Sequence, residues 1–137
     1  MIATTSQTIL AIESLLALPF LIMGLSHILQ PHMWLDMFQR LAAKGNVGVL
    51  ERSFLFELWP ASLIVAFHQD WRWPGVLLTI YGHTLAAKIA ISLAFPLFGL
   101  RSLRMAQEYG QTAYIPAGAI LCALGLFCFA RGLGLWV

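Results

Sequence analysis

The stretch from Val47 to His68, VGVLERSFLFELWPASLIVAFH, places a glutamate near the middle of a segment that is long and apolar enough to cross a bilayer. That glutamate is Glu57. An ionisable side chain at such a depth is costly unless it is neutral, paired or facing water, and for this reason Glu57 is a candidate for a functional site, with a structural role as the alternative. We therefore predict that Glu57 has a polar partner inside the protein.

The composition of the whole chain agrees with a membrane environment. Of its 137 residues, 60% are hydrophobic and only 10% are charged, which is far from the balance of a water-soluble domain. Membrane lipids are thus expected partners. The net charge of +2 is small and its basic residues are scattered, which argues against binding to nucleic acid.

Four apolar runs predict an all-α fold, an integral membrane four-helix bundle in which residues 1–137 form a single transmembrane domain. A shorter amphipathic segment after the first run predicts a helix in the membrane interface. The predicted spans are about 8–29, 49–68, 74–98 and 112–136, and the interfacial helix is about 32–44.

The basic residues outside these spans predict the orientation. Most of them lie in the first and third connections, at Arg40, Lys44, Arg101 and Arg104. Since cytoplasmic connections carry an excess of Lys and Arg, both connections are predicted to be cytoplasmic and both termini outside.

A shift of 65 positions superposes Pro31 on Pro96, Leu35 on Leu100 and Gly45 on Gly110. Each triplet follows one predicted span and precedes the next. The pattern indicates two tandem two-helix repeats, and chance identity in an apolar sequence is the equally weighted alternative.

Two helix faces are predicted to meet. Glu57 lies on a stripe of the second span, while the third span has a stripe of mostly small residues that favours close packing. At about 1.5 Å per residue, Glu57 and His83 both come out near mid-membrane, so we expect a hydrogen bond between them. The small stripe comprises Gly75, Thr79, His83, Ala86, Ala87, Ala90 and Ala94.

The remaining polar and small residues complete the predicted site and packing faces. Glu13 and His27 lie on one side of the first span and are expected to be buried polar groups, while Gly118 and Gly125 form a packing face on the last span. Lys88 is expected to reach toward the interface or to pair with Glu51.

The sequence contains no motif for a metal or haem site. No His or Cys pair has ligand spacing, so no metal centre is expected. His27 and His83 should lie at different depths, which argues against a haem held between them.

Several of these features resemble the DoxX-like group of small four-helix membrane proteins. They are Gly24, His27 and Pro31 near the end of the first span, Glu57 within FELWPASLIV, and the third span that follows WRWPGVLLTIYG. The resemblance implies a multi-pass protein of the cell (inner) membrane. For a few members it also implies a part in quinone-linked sulfur oxidation or redox complexes. Leu55 and Phe56 stand where the group has a glycine before this glutamate.

Three functions are compatible with the sequence. The first is a non-enzymatic accessory or structural subunit of a redox or transport complex, since the chain has little mass outside the membrane and lacks a complete catalytic constellation. The second is a small oligomeric carrier or proton-coupled transporter using Glu57 and His83. The third is a membrane enzyme or binder of quinone or lipid. A homo-oligomer or a larger membrane complex is expected.

Overall fold

The computed structural model describes residues 6–135, and every regular element in this part of the chain is helical. The predicted end of the last helix at Trp136 lies outside the described residues. In chain order the elements are α1 (Ser6–Leu29), α2 (Pro31–Ala43), α3 (Asn46–Arg52), a π-helical segment (Ser53–Leu58), α4 (Trp59–Phe67), α5 (Val76–Ala94), α6 (Pro96–Glu108), a 3₁₀ turn (Gln111–Ala113) and α7 (Tyr114–Gly132).

Three helical stretches are long and apolar enough to cross a membrane: Ser6–Leu29, Val76–Ala94 and Gln111–Gly132. Their outward faces expose many large apolar side chains, including Leu18, Ile22 and Ile120. Such faces suit contact with lipid tails rather than water. The chain is therefore an all-α membrane protein.

Two prolines start short amphipathic helices. α2 begins at Pro31 and α6 at Pro96, and in each case the preceding residue, Gln30 or Phe95, leaves the helical conformation with φ −129°. A residue before proline is pushed away from α geometry, while proline itself suits the first turn of a new helix. The prediction of one third helix over 74–98 is therefore wrong at its end, because α5 stops at Ala94.

The segment that contains Glu57 changes its winding. Residues 46–67 follow one helical path, but its central part, Ser53–Leu58, is π-helical. Pro60 lies two residues after the end of this part and has no backbone N–H to donate to the preceding turn, so the ordinary α pattern cannot run through unchanged. π-Helical turns inside α-helices are frequent at functional sites.

The tightest packing joins α1 to α7. A Cβ atom built on Gly24 would lie 2.6 Å from the Cys122 nitrogen, and one built on Gly118 would lie 2.7 Å from the Gly24 oxygen. Gly125 faces Leu21 in the same way. Only glycine allows the two backbones to approach so closely, as is usual between membrane helices.

α5 packs on α4 through a different face from the predicted stripe. Gly82 and Ile89 are buried on the face toward α4, Thr79 is buried against the loop that follows α4, and Ala87 is exposed. The packing prediction is therefore wrong at Ala87, whereas Ala90, although exposed, borders a groove together with residues of α4. The close approach occurs where Gly82 meets Ile64, and this contact sets the rotation of α5 so that the face through Ile89 turns inward.

The helix bounds repeat along the chain. α6 begins and ends 65 positions after α2, and the stretch 111–132 has the same offset from 46–67. Gly45 and Gly110, also related by this offset, both have positive φ, at 61° and 70°. α2 and α6 pack against each other, so the first and third connections lie at the same end of the molecule.

Ile89 and Ile91 provide a matched test of the α4–α5 packing. Ile89 is 4% exposed and Ile91 is 51% exposed. We expect Ile89→Ala to lower the free energy of unfolding by about 2 kcal/mol or more because it leaves a cavity, and Ile91→Ala to have a much smaller effect. Thermal or denaturant unfolding in detergent measures both, and equal losses would contradict the packing described.

Candidate functional site

A cavity of about 280 Å³ lies among α1, α2, the π-helical segment, α5 and α7. Six of its fifteen lining residues are Phe, Trp or Tyr, and four others carry an imidazole or a charged group: His27, Arg52, Glu57 and Lys88. An apolar cavity with a few convergent polar groups is typical of a ligand site. The aromatic lining residues are Phe20, Trp34, Phe38, Phe56, Trp59 and Tyr81.

Glu57 is held at this cavity by two cations. Its Oε1 atom accepts a hydrogen bond from Lys88 Nζ and lies 3.5 Å from Arg52 Nε, close enough for an ion pair. Residues five apart in an α-helix point about 140° apart. The wider winding of the π-helical segment instead brings Arg52 and Glu57 to one side.

Arg52 is buried deeply, with only 2% of its surface exposed. Its Nη1 atom donates to Ser102 Oγ of α6, and its Nη2 atom donates to Ser92 Oγ of α5, each at 3.4 Å. A buried guanidinium is costly unless a carboxylate and further acceptors surround it. Arg52 therefore ties three elements together, and Glu57 is its counter-ion.

Three polar atoms at this site are buried without a hydrogen bond inside the described part of the chain. They are Glu57 Oε2, Arg52 Nε and Ser53 Oγ. Buried polar atoms in proteins nearly always have a partner. Glu57 and Arg52 both contribute to the cavity wall, so the polar end of the cavity carries a carboxylate and a guanidinium.

One side of the cavity is closed by Trp34 of α2. Its indole stacks on the His27 ring, with centroids 3.8 Å apart, and meets the edge of Phe56 at 6.0 Å. The indole Nε1 donates to Ser26 Oγ at 2.9 Å, and His27 Nδ1 donates to the Met23 carbonyl at 2.7 Å. The predicted site residue His27 thus lies at the cavity, where these contacts fix its ring.

The predicted hydrogen bond between Glu57 and His83 is wrong. His83 Nδ1 donates to the Thr79 carbonyl at 2.9 Å, and its ring lies 5.4 Å from Trp71. The carboxylate is turned by the π-helical segment toward Lys88 instead. The prediction that Lys88 pairs with Glu51 is also wrong, because Glu51 binds Lys44.

Glu13, another predicted buried polar residue, belongs to a separate ionic cluster at the opposite end of α1 from α2. It is fully buried, accepts from His68 Nε2 at 2.9 Å and pairs with Arg131 Nε at 3.0 Å. Arg131 also binds Asp70 at 3.2 Å. This cluster links α1 and α7 to the loop before α5 and serves as a structural clamp.

The predicted packing residues fall at several places. Gly118 and Gly125 lie in the α1–α7 contact. Thr79 is fully buried and donates its hydroxyl to backbone carbonyls of the loop, that of Asp70 at 2.9 Å and that of His68 at 3.2 Å. Gly75 touches the Asp70 side chain.

Arg52 and Arg131 were not among the site residues predicted from the sequence. Arg52 had a local signal, since a guanidinium inside an otherwise apolar run needs a counter-ion and Glu57 is five residues away. Arg131 had none, because its partners Glu13 and Asp70 are distant in the chain and only the fold brings them together.

Within residues 6–135, no group of three His, Cys, Asp or Glu side chains is arranged to hold a metal ion. Comparison with protein-family models, curated protein sequences and solved structures gives no match. The function therefore has to be argued from the geometry of the cavity.

The ionic cluster allows a paired test, because Arg131 and Arg72 both contact the carboxylate of Asp70. Arg131 is 14% exposed and also binds Glu13, whereas Arg72 is 89% exposed. We expect Arg131→Gln to lower the free energy of unfolding by about 3–5 kcal/mol, since it removes the buried cation that Glu13 and Asp70 share. Arg72→Gln should cost less than about 1 kcal/mol. Similar losses in detergent unfolding would show that the cluster is not a clamp.

Proposed function

We propose that this chain is a membrane-embedded binding protein whose cavity takes a small ring compound with hydroxyl or carbonyl groups, of which a quinone head group is the model. The observation that carries the proposal is that aromatic side chains and the charged groups of Glu57, Arg52 and Lys88 line the same cavity.

The aromatic and the polar lining residues would bind different parts of such a ligand. Aromatic side chains stack on a flat ring or meet it with their edges, and each such contact adds about 0.5–1.5 kcal/mol. At the polar end, Arg52 and Lys88 can donate to a ligand oxygen, while Glu57 Oε2 can accept from a hydroxyl. A ring with oxygen substituents satisfies both ends, whereas a simple hydrocarbon would leave the buried polar atoms unpaired.

The size of the cavity limits the ligand. Sites for drug-sized molecules usually measure about 300–1,000 Å³, and this cavity, at about 280 Å³, falls just below that range. A single substituted ring suits a cavity of this size better than a large ring system such as haem.

The proposal includes a membrane topology. Residues 46–67 match the apolar stretch 111–132 in length and in position within the repeat, which supports a fourth crossing and hence a four-helix bundle. We place this bundle in the cell (inner) membrane with both termini outside, as the Lys and Arg distribution favours. Membership of the DoxX-like group and a place in a redox complex as an accessory subunit or homo-oligomer belong to the same proposal.

The carrier hypothesis lacks the pair on which it was based, because Glu57 and His83 are not in contact. Ring binding needs no such pair. It also does not require an enzymatic step, since the cavity holds recognition groups but no complete catalytic constellation.

Binding of 2,3-dimethoxy-5-methyl-1,4-benzoquinone to the purified protein in detergent tests the proposal, with quenching of intrinsic tryptophan fluorescence as the signal. Phe56→Ala removes a lining ring, and the matched control Phe54→Ala removes a ring that is exposed on the same segment. We expect Phe56→Ala and Glu57→Gln each to weaken binding about tenfold, the equivalent of about 1.4 kcal/mol. The control should bind like the parent protein.

Absence of saturable binding to the parent protein would overturn the proposal. So would equal affinities of the parent protein, Phe56→Ala and Glu57→Gln, because the probe would then bind outside the cavity.

A further inference from the structure

We propose that the ligand reaches the cavity sideways from the lipid, through a gap between α5 and α7 lined by Lys88, Ala117 and Leu121, and that it is a ring lipid whose apolar tail stays in this gap. The inference rests on the proposed function and adds to it the route and the class of ligand. We refer to this opening as the α5–α7 gap.

Equivalent helix pairs of the two repeat units differ in how closely they pack. α1 contacts α4, and the repeat offset makes α5 and the later part of α7 the equivalent pair. Within residues 6–135, α5 and α7 make at most a marginal contact. The contact between α1 and α4 thus has no counterpart of similar extent between α5 and α7.

The two short helices, α2 and α6, also differ in the side chain that they place between neighbouring helices. Trp34 of α2 lies between His27 of α1 and Phe56 and closes that side. The repeat offset places Gly99 of α6 at the position equivalent to Trp34. Gly99 has no side chain with which to bridge α5 and α7.

The packing of α6 against α3 leaves no room for a large side chain at position 99. A Cβ atom on Gly99 would lie 2.5 Å from a methyl group of Val49, a distance that real Cβ contacts do not show. A large residue at this position would push α6 away from α3. Position 99 therefore has no room for a large side chain, and α6 has no counterpart of Trp34 there.

The exposure of the lining residues agrees with an opening at this place. Ala117 of α7 and Lys88 of α5 both contribute to the cavity wall and are both exposed. They also lie at the same depth, since each is six residues from the corresponding end of its helical stretch. The small Ala117 side chain leaves room between the two helices.

The proposed class of ligand follows from size and surroundings. The cavity holds about one substituted ring, so any long tail must remain outside it. The gap faces the apolar belt formed by exposed side chains such as Ile91 and Ile120. A hydrocarbon tail in the gap is therefore surrounded by lipid, while its ring reaches Glu57 and Arg52.

The test compares two probes that share one ring: 2,3-dimethoxy-5-methyl-1,4-benzoquinone and the same ring with a decyl chain. Ala117→Leu narrows the gap, and Ala119→Leu adds the same bulk at an exposed position of α7 that does not line the cavity. Affinities are measured by tryptophan quenching in the same detergent.

We expect Ala117→Leu to weaken the decyl probe about tenfold more than it weakens the tailless probe, because Ala117 lines both the gap and the cavity, while Ala119→Leu changes neither. If Ala117→Leu does not fold, Ala117→Met takes its place with the same expectation. When both probes bind the parent protein but the variant affects them equally or not at all, the gap is not the route and the proposed function stands. When neither probe binds the parent protein, the proposed function itself fails.

Discussion

The burial of one guanidinium constrains much of this structure. Arg52 is almost completely shielded from solvent, and a charge in that position needs a carboxylate together with further acceptors. Glu57 supplies the carboxylate, and two serines on α5 and α6 supply hydroxyl oxygens. Arg52 thereby connects α3 with α5 and α6, and the π-helical winding of Ser53–Leu58 keeps Glu57 on the same side as Arg52.

The same constraint produces the candidate site. The π-helical winding turns Glu57 toward Arg52 and Lys88, and one carboxylate oxygen remains unpaired at a cavity with aromatic walls. A separate ionic cluster around Glu13 and Arg131 holds the other end of the bundle. The protein thus has one polar cluster that is closed on itself and another that faces a cavity. That difference supports the assignment of binding to the second.

Features encoded locally could be predicted from the sequence. The apolar runs predicted helices that can cross a membrane, and the short helix at about 32–44 is present as α2, because apolar length and proline position act over a few residues. The register of α5 could not be predicted in this way. It depends on the contact of Gly82 with Ile64 of another helix, so Ile89 faces inward and Ala87 does not. The partner of Glu57 was mistaken for a related reason, since an ideal α-helix was assumed where the chain forms a π-helical segment.

A double-mutant cycle between Glu57 and Lys88 tests the central claim most directly, with the pair Glu57 and His83 as the reference. The variants are Glu57→Gln, Lys88→Gln and His83→Gln, alone and in pairs, and the free energy of unfolding is measured in detergent. Contacting charged residues are coupled by about 0.5–3 kcal/mol, whereas independent sites add within about 0.5 kcal/mol. We predict coupling for Glu57 with Lys88 and additivity for Glu57 with His83. The reverse pattern would show that the carboxylate faces the imidazole, and the account of the cavity would be wrong.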